Sequence, residues 1–225
     1  MKPRIRSASG AVLMLAIIPA IVGLLACMPV PIGDPERSRI DPEITGAWVW
    51  LNNGDSSFFV FEPYDKRTWL LTGFGIEYGD RRDSDTAYDL TSYAGLTGLI
   101  ENESIGADGV TADEITLYKV WRTKLGGEWF MTWEPKGLFD NESFVPELWY
   151  VFRVDRSDEK ALELTMLDGD LFDGVEETRR AYERVIKKNA RNPELYDDEE
   201  TIRLLRVDPE HFDFVAKLAA QVISE

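Results

Sequence analysis

The chain of 225 residues has one histidine, His211, and one cysteine, Cys27. A Ser/His nucleophilic pair would need His211 as its base. That residue falls in the first turn of a terminal helix, beside Pro209 and Glu210, where a solvent-facing side chain is expected. One histidine and one cysteine also cannot close a tetrahedral zinc shell. Asp168-Gly169-Asp170 with Asp173-Gly174 has some of the acids of a calcium loop. Its fifth position is Phe172 and its glycine falls one place late, so the segment reads as a turn and helix cap. Asp80, Asp83, Asp85 and Asp89, interrupted by Arg81 and Arg82, read as a solvated loop. Glu62, Glu134 and Asp140 are carboxylates of the kind glycoside chemistry pairs, but nothing selects two at the needed separation. Neither a phosphate-cradling glycine loop nor a basic stripe is present. The expectation is a protein with no catalytic residues, no cofactor and no metal site.

Binding chemistry is better represented. Trp129, Met131 and Trp133 alternate and so share one face of a strand, while Phe130 and Thr132 take the other. Trp48 and Trp50 share a face in the same way. Seven tryptophans point to a large aromatic core or a lined cavity. In a barrel, such a face either fills the interior or lines a pocket for an apolar ligand. The candidate ligand-binding residues are therefore Trp48, Trp50, Trp129, Met131 and Trp133.

The elements that would position them are mostly strands. From Gly46 to about Asp170 the chain alternates β-branched and aromatic runs with turn clusters such as Asn52-Asn53-Gly54-Asp55, Pro63-Tyr64-Asp65 and Asp155-Arg156-Ser157-Asp158. Gly126-Gly127 between two such runs predicts a two-residue hairpin. Residues Thr86 to Glu101 are read as one or two further strands. Asp173 with Glu176 looks like a capping box, opening a helix to about Arg191 whose stripe is Val175, Tyr182, Val185 and Ile186. Glu176–Arg180 and Glu183–Lys187 are expected as exposed i,i+4 pairs on that helix. Thr201–Val207 reads as a strand. Asp208-Pro209 then starts a last helix with Phe212, Val215, Leu218, Ala219 and Val222 on its apolar face. The pattern predicts a mainly β antiparallel barrel over 46–173 with a helix-strand-helix unit over 174–225 packed on it; a β-sandwich is the alternative.

The N-terminus reads differently. Lys2, Arg4 and Arg6 precede twenty uncharged residues, Ser7 to Ala26, whose end with the next residue reads Leu24-Leu25-Ala26-Cys27, the layout of a secretory signal over residues 1–26. The apolar run is shorter than the roughly 20 residues of a spanning helix. Leu-Leu-Ala-Cys resembles the lipobox of bacterial lipoproteins. That resemblance implies cleavage before Cys27 and attachment of acyl chains, palmitate among them, to the cysteine. It also implies residence at the cell envelope, and Met28 in place of an aspartate favours the periplasmic face of the outer membrane. Each buried CH₂ of an acyl chain contributes about 0.8 kcal/mol, so two or three chains hold firmly. Removing the signal takes the net charge from −16 to −19, which disfavours nucleic acid and anionic headgroups as partners. Membrane attachment is then left to the acyl chains. Residues 27–45, rich in proline and mixed charges, are expected to be a flexible tether.

A barrel that opens on Gly46-Ala47-Trp48 and ends with a helix and another strand resembles a lipocalin. In that family the tryptophan of Gly-x-Trp sits at the closed end, under a basic residue; Arg153 and Arg206 are both candidates for it. The middle Thr-Asp-Tyr motif of the family is absent, Thr91-Ser92-Tyr93 being a loose substitute. The resemblance implies a protein that binds a small hydrophobic molecule. The other expectation is a filled barrel that meets an envelope protein.

Overall fold

In the computed structural model the described residues are 27–51, 56–78, 93–102, 110–138 and 148–224. The signal segment, the Asp80–Asp89 loop, Thr91, Ser92 and Asp140 lie outside them. Eight strands form an antiparallel meander: β2 (Gly46–Leu51), β3 (Ser56–Pro63), β4 (Trp69–Tyr78), β5 (Val110–Leu125), β6 (Glu128–Leu138), β7 (Trp149–Asp158), β8 (Ala161–Leu167) and β9 (Tyr196–Arg206). Strand β9 returns to pair with β2, Trp48 opposite Arg206, which closes the sheet into a barrel. A short β1 (Cys27–Met28) pairs with the start of β7. Among the described residues three helices flank the barrel: α1 (Tyr93–Asn102), α2 (Arg179–Asn189) and α3 (Phe212–Ser224). The chain is thus mainly β, a closed eight-stranded antiparallel barrel of lipocalin-like form. The strand expected in the C-terminal unit is the eighth stave of the wall.

Strand alternation sorts side chains into an inner and an outer set. Trp48, Phe61, Trp69, Leu71, Val120, Met131, Trp133, Phe152, Leu162, Leu164, Met166 and Leu204 pack together inside. The outer face is also apolar, and the helices cover it. Helices α1 and α3 lie over Val49, Phe58, Phe74 and Ile115 through Leu96, Leu99, Val215 and Leu218. Helix α2 covers Phe130 and Val151 through Tyr182 and Ile186. A barrel buried on both faces needs no disulfide.

Residues 93–102 form a helix where the sequence reading expected strand. Leu96, Leu99 and Ile100 recur at helical spacing, and their burial on the wall outweighs the cost of Gly95 and Gly98. Helix α2 begins at Arg179, capped by the Thr178 hydroxyl accepting from the Ala181 amide, and not at Asp173. Asp173 instead ends a 3₁₀ turn over Gly169–Phe172, capped by Asp168, and Gly174 at φ +72° turns the chain before the helix can start. The reading of the Asp168–Asp173 acids as turn and cap holds with this shift. Glu183 pairs weakly with Arg179, at 4.0 Å, and its carboxylate is half-buried.

The larger correction concerns residues 27–45, which are a packed strap and not a flexible tether. Met28, Val30 and Ile32 are buried with the α2 cluster, Ile32 completely. The Ile32 carbonyl accepts from the Trp121 indole N–H at 2.7 Å and from the Thr132 hydroxyl at 2.9 Å. Glu183 accepts from the Gly33 amide at 3.1 Å, and Arg179 donates to the Gly33 carbonyl at 3.3 Å. Further on, the buried Ser38 accepts from the Arg122 amide, and Arg122 is paired with Asp41 at 2.5 Å. Composition suggested an open linker because the prolines and charges alternate with the few residues, Met28, Val30, Ile32 and Ile44, that carry the packing.

The Gly126-Gly127 hairpin forms as expected between β5 and β6, with φ of +61° and +99°. A Cβ at Gly126 would lie 2.5 Å from the Ala190 Cβ and 2.9 Å from the Lys187 carbonyl oxygen. Gly126→Ala should therefore destabilise the fold by about 2 kcal/mol or more, combining left-handed strain with a clash on α2. Urea unfolding measures it, and Gly127→Ala, free of that clash, should cost less.

Burial raises the phenol pKa of Tyr182, helped by Glu177 and Asp173. Burial also raises that of Tyr196, with Glu128 adding to it and Arg153 opposing. The Tyr196 hydroxyl donates to the Ala190 carbonyl and loses that bond on ionisation. Raised folded values mean stability is whole below the ordinary phenol pKa of 10.0 and falls as pH rises through the folded values. The midpoint of urea unfolding should be flat approaching pH 10 and drop above it, and Tyr196→Phe should flatten that drop.

Candidate functional site: the barrel interior and its mouth

One end of the barrel carries the β3–β4, β5–β6 and β7–β8 turns and the start of β2. There Trp48, fully buried, donates its indole N–H to the Ile44 carbonyl at 2.8 Å. The Arg206 guanidinium lies 5.2 Å from the Trp48 ring and donates to the Glu43 carbonyl at 2.6 Å and the Thr45 carbonyl at 2.9 Å. Gly46 has φ +126°, a backbone conformation that residues with a side chain rarely adopt. The basic residue over the tryptophan is therefore Arg206. Arg153 points to the outer wall, 4.1 Å from the Tyr196 ring. The strap crosses this end, with Ile40 and Ile44 packed on the interior cluster. This is the closed end.

Above the plug, Phe61, Trp69, Leu71, Met131, Phe152, Leu162, Leu164 and Met166 fill the interior. Toward the other end the inward residues Trp50, Phe59, Tyr118, Tyr150 and Ile202 are only partly buried, so they ring a mouth. Trp133 stands between filled floor and ring. Its centroid is 4.7 Å from Phe152, 5.5 Å from Tyr118, 5.8 Å from Phe59 and 6.2 Å from Phe61. It is 4% exposed, and its indole N–H has no hydrogen-bond acceptor. A buried donor left unmatched costs about 1–3 kcal/mol, and an acceptor that entered the mouth would recover that.

The five candidates from the sequence are thus split. Trp50 and Trp133 both lie toward the mouth. Trp48 and Met131 are inside the barrel but belong to its plug and floor. Trp129 sits at the closed end, 38% exposed, with the Arg122 guanidinium 4.3 Å and the Lys124 ammonium 5.4 Å from its ring. It borders two polar surface grooves of about 500 and 430 Å³ that flank the strap. Alternation along one strand places side chains on a face but does not say how far along the barrel each one lies. Phe59, Tyr118, Tyr150 and Ile202 were missed because their strands show no tryptophan pair to draw notice; their parity with Trp133 across the paired strands was the available signal.

His211 is largely covered and lies 3.6 Å from Glu210. Glu134 pairs with Lys136 at 2.9 Å, and Glu62 is exposed. Among the described residues no cluster of three His, Cys, Asp or Glu side chains is placed to hold a metal ion. No helix among them is long and apolar enough to cross a membrane.

These features define a lipocalin-like barrel with a sealed base, a filled lower interior and an aromatic mouth. No protein-family model, curated protein or solved structure matches the chain, so its class rests on closure, strand order and the Trp48–Arg206 seal.

Proposed function

We propose that this protein is a lipid-anchored, non-enzymatic binding protein of the bacterial envelope, facing the periplasm. Its ligand is a small hydrophobic molecule with an oxygen acceptor, such as a fatty acid or lysolipid, and it seats at the mouth of the barrel. The unmatched Trp133 N–H among Phe59, Tyr118 and Phe152 is the observation that carries this reading. An apolar chain would lie against the rings while its carbonyl or carboxylate oxygen accepts from the indole. The filled floor limits the site to the upper interior, so the ligand enters part-way and keeps its polar end near Trp133. Anchoring is assigned to Cys27 on the lipobox resemblance.

Titrating residues 27–225, with Cys27→Ser and without the signal segment, with a long-chain fatty acid, by calorimetry, tests the site. Trp133→Phe keeps a ring in the cluster but removes the donor, and should weaken binding about ten- to a hundredfold, the worth of a hydrogen bond to a charged group. Equal affinity in both proteins would remove Trp133 from the account. The second reading, a filled barrel that meets an envelope protein, draws on the packed lower interior. It predicts no fatty-acid binding by either protein, together with a protein crosslinked to the barrel in intact cells.

A further inference from the structure

The strap settles more than the fold, because it fixes where Cys27 stands. Antiparallel pairing sets Cys27 opposite Tyr150 and Met28 opposite Trp149, at the start of β7. That start is the mouth end of the strand, and Tyr150 is one of the ring residues, its own ring 6.0 Å from Tyr118. From Met28 onward the chain has no slack. Met28 is 4% exposed, Ile32 is buried, and the Ile32 carbonyl and Gly33 amide are tied to the barrel wall and to α2. The chain then runs on to the closed end, where Ser38 and Asp41 engage Arg122. An anchor at Cys27 is therefore held near the mouth by a rigid connection.

We infer that Cys27 holds the mouth of the barrel against the bilayer, so that the ring of Trp50, Tyr118 and Tyr150 above the unmatched Trp133 N–H opens directly onto membrane lipid, whose acyl chain is the occupant. This rests on the acylation of Cys27 proposed above and deepens that reading by naming the source of the ligand and the face it enters by. Two observations carry it independently. The β1–β7 register places the anchor, and the buried donor at Trp133 calls for an acceptor on something that enters from that end. A mouth pressed to lipid also spares its half-buried aromatic ring from water, which a mouth turned to the periplasm would not. The cationic residues Arg37, Arg39, Lys124 and Arg179, gathered in the groove at the closed end, then face away from the membrane.

The test uses the full chain purified from bacterial membranes and reconstituted in vesicles of phosphatidylethanolamine and phosphatidylglycerol. Once Cys27 is acylated, one introduced cysteine is the sole free thiol and takes a nitroxide label. Lys136→Cys and Glu194→Cys report on the mouth end; Lys66→Cys and Glu159→Cys report on the closed end. All four positions are exposed, so none of the substitutions disturbs the core. The mass of the N-terminal peptide first establishes whether Cys27 carries acyl chains. With acylation present, the two mouth labels should collide several-fold less often with a water-soluble nickel chelate than the two closed-end labels. Shielding of the closed-end pair would overturn the inference, placing the basic groove around Trp129 on the bilayer. Four equally accessible labels on an acylated chain would overturn it too, while leaving the anchor intact. An unmodified Cys27 removes the anchor reading itself, a result distinct from both.

Discussion

Ile32→Ala should lower the unfolding free energy by about 2–5 kcal/mol, the cost of a cavity left by a fully buried aliphatic side chain. On a flexible tether the same change would stay within about 0.5 kcal/mol. Urea unfolding of the chain without its signal segment separates the two. The effect should be large because Ile32 packs in the cluster that joins the strap to Phe130, Val151, Tyr182 and Ile186, and so bonds barrel wall to helix. Deleting residues 27–33 should cost more. It strips the cover from that cluster and also leaves the Trp121 indole and the Thr132 hydroxyl without their acceptor, at about 1–3 kcal/mol for each buried group. Fusions that append a new N-terminus at residue 34 would then yield a loosened barrel, however well they are secreted.

Arg206→Met should cost about 2–4 kcal/mol. It removes two donors from the Glu43 and Thr45 carbonyls and the cation from the face of Trp48. Arg206→Lys should recover less than half of that, because a single ammonium cannot serve two carbonyls and the ring together. Arg153→Met is the control: it removes a cation from an outer-wall tyrosine, and should cost no more than about 1 kcal/mol. Equal losses at the two positions would mean that the seal over Trp48 is not what closes the base.

Much of the barrel was legible in the sequence because alternation and turn residues are local signals. The Gly126-Gly127 turn and the Asp208-Pro209 helix start declared themselves in two residues each. Gly46-Ala47-Trp48 marked the closed end, though choosing Arg206 over Arg153 needed the register that sets Arg206 opposite Trp48. Closure was harder to read. That β9 lies between β8 and β2 depends on pairings with residues some 40 and 155 positions away, which no local pattern encodes. The strap was misread for a related reason. Its buried side chains, Met28, Val30, Ile32, Ser38 and Ile44, are separated by prolines and charges, and its fixed geometry comes from partners on β5, β6 and α2. The mouth was half legible: Trp50 and Trp133 were found, but their neighbours Phe59, Tyr118 and Tyr150 come from other strands.

A lipid held in the mouth above Trp133 should travel with the protein through purification. Native mass spectrometry of residues 27–225 carrying Cys27→Ser behind an ordinary cleavable secretory signal, purified from the periplasm without detergent, reads this out. The expected result is a single lipid-sized adduct on the folded protein that disappears in Trp133→Phe. A bare polypeptide mass in both proteins, with the fold intact by circular dichroism, would contradict it.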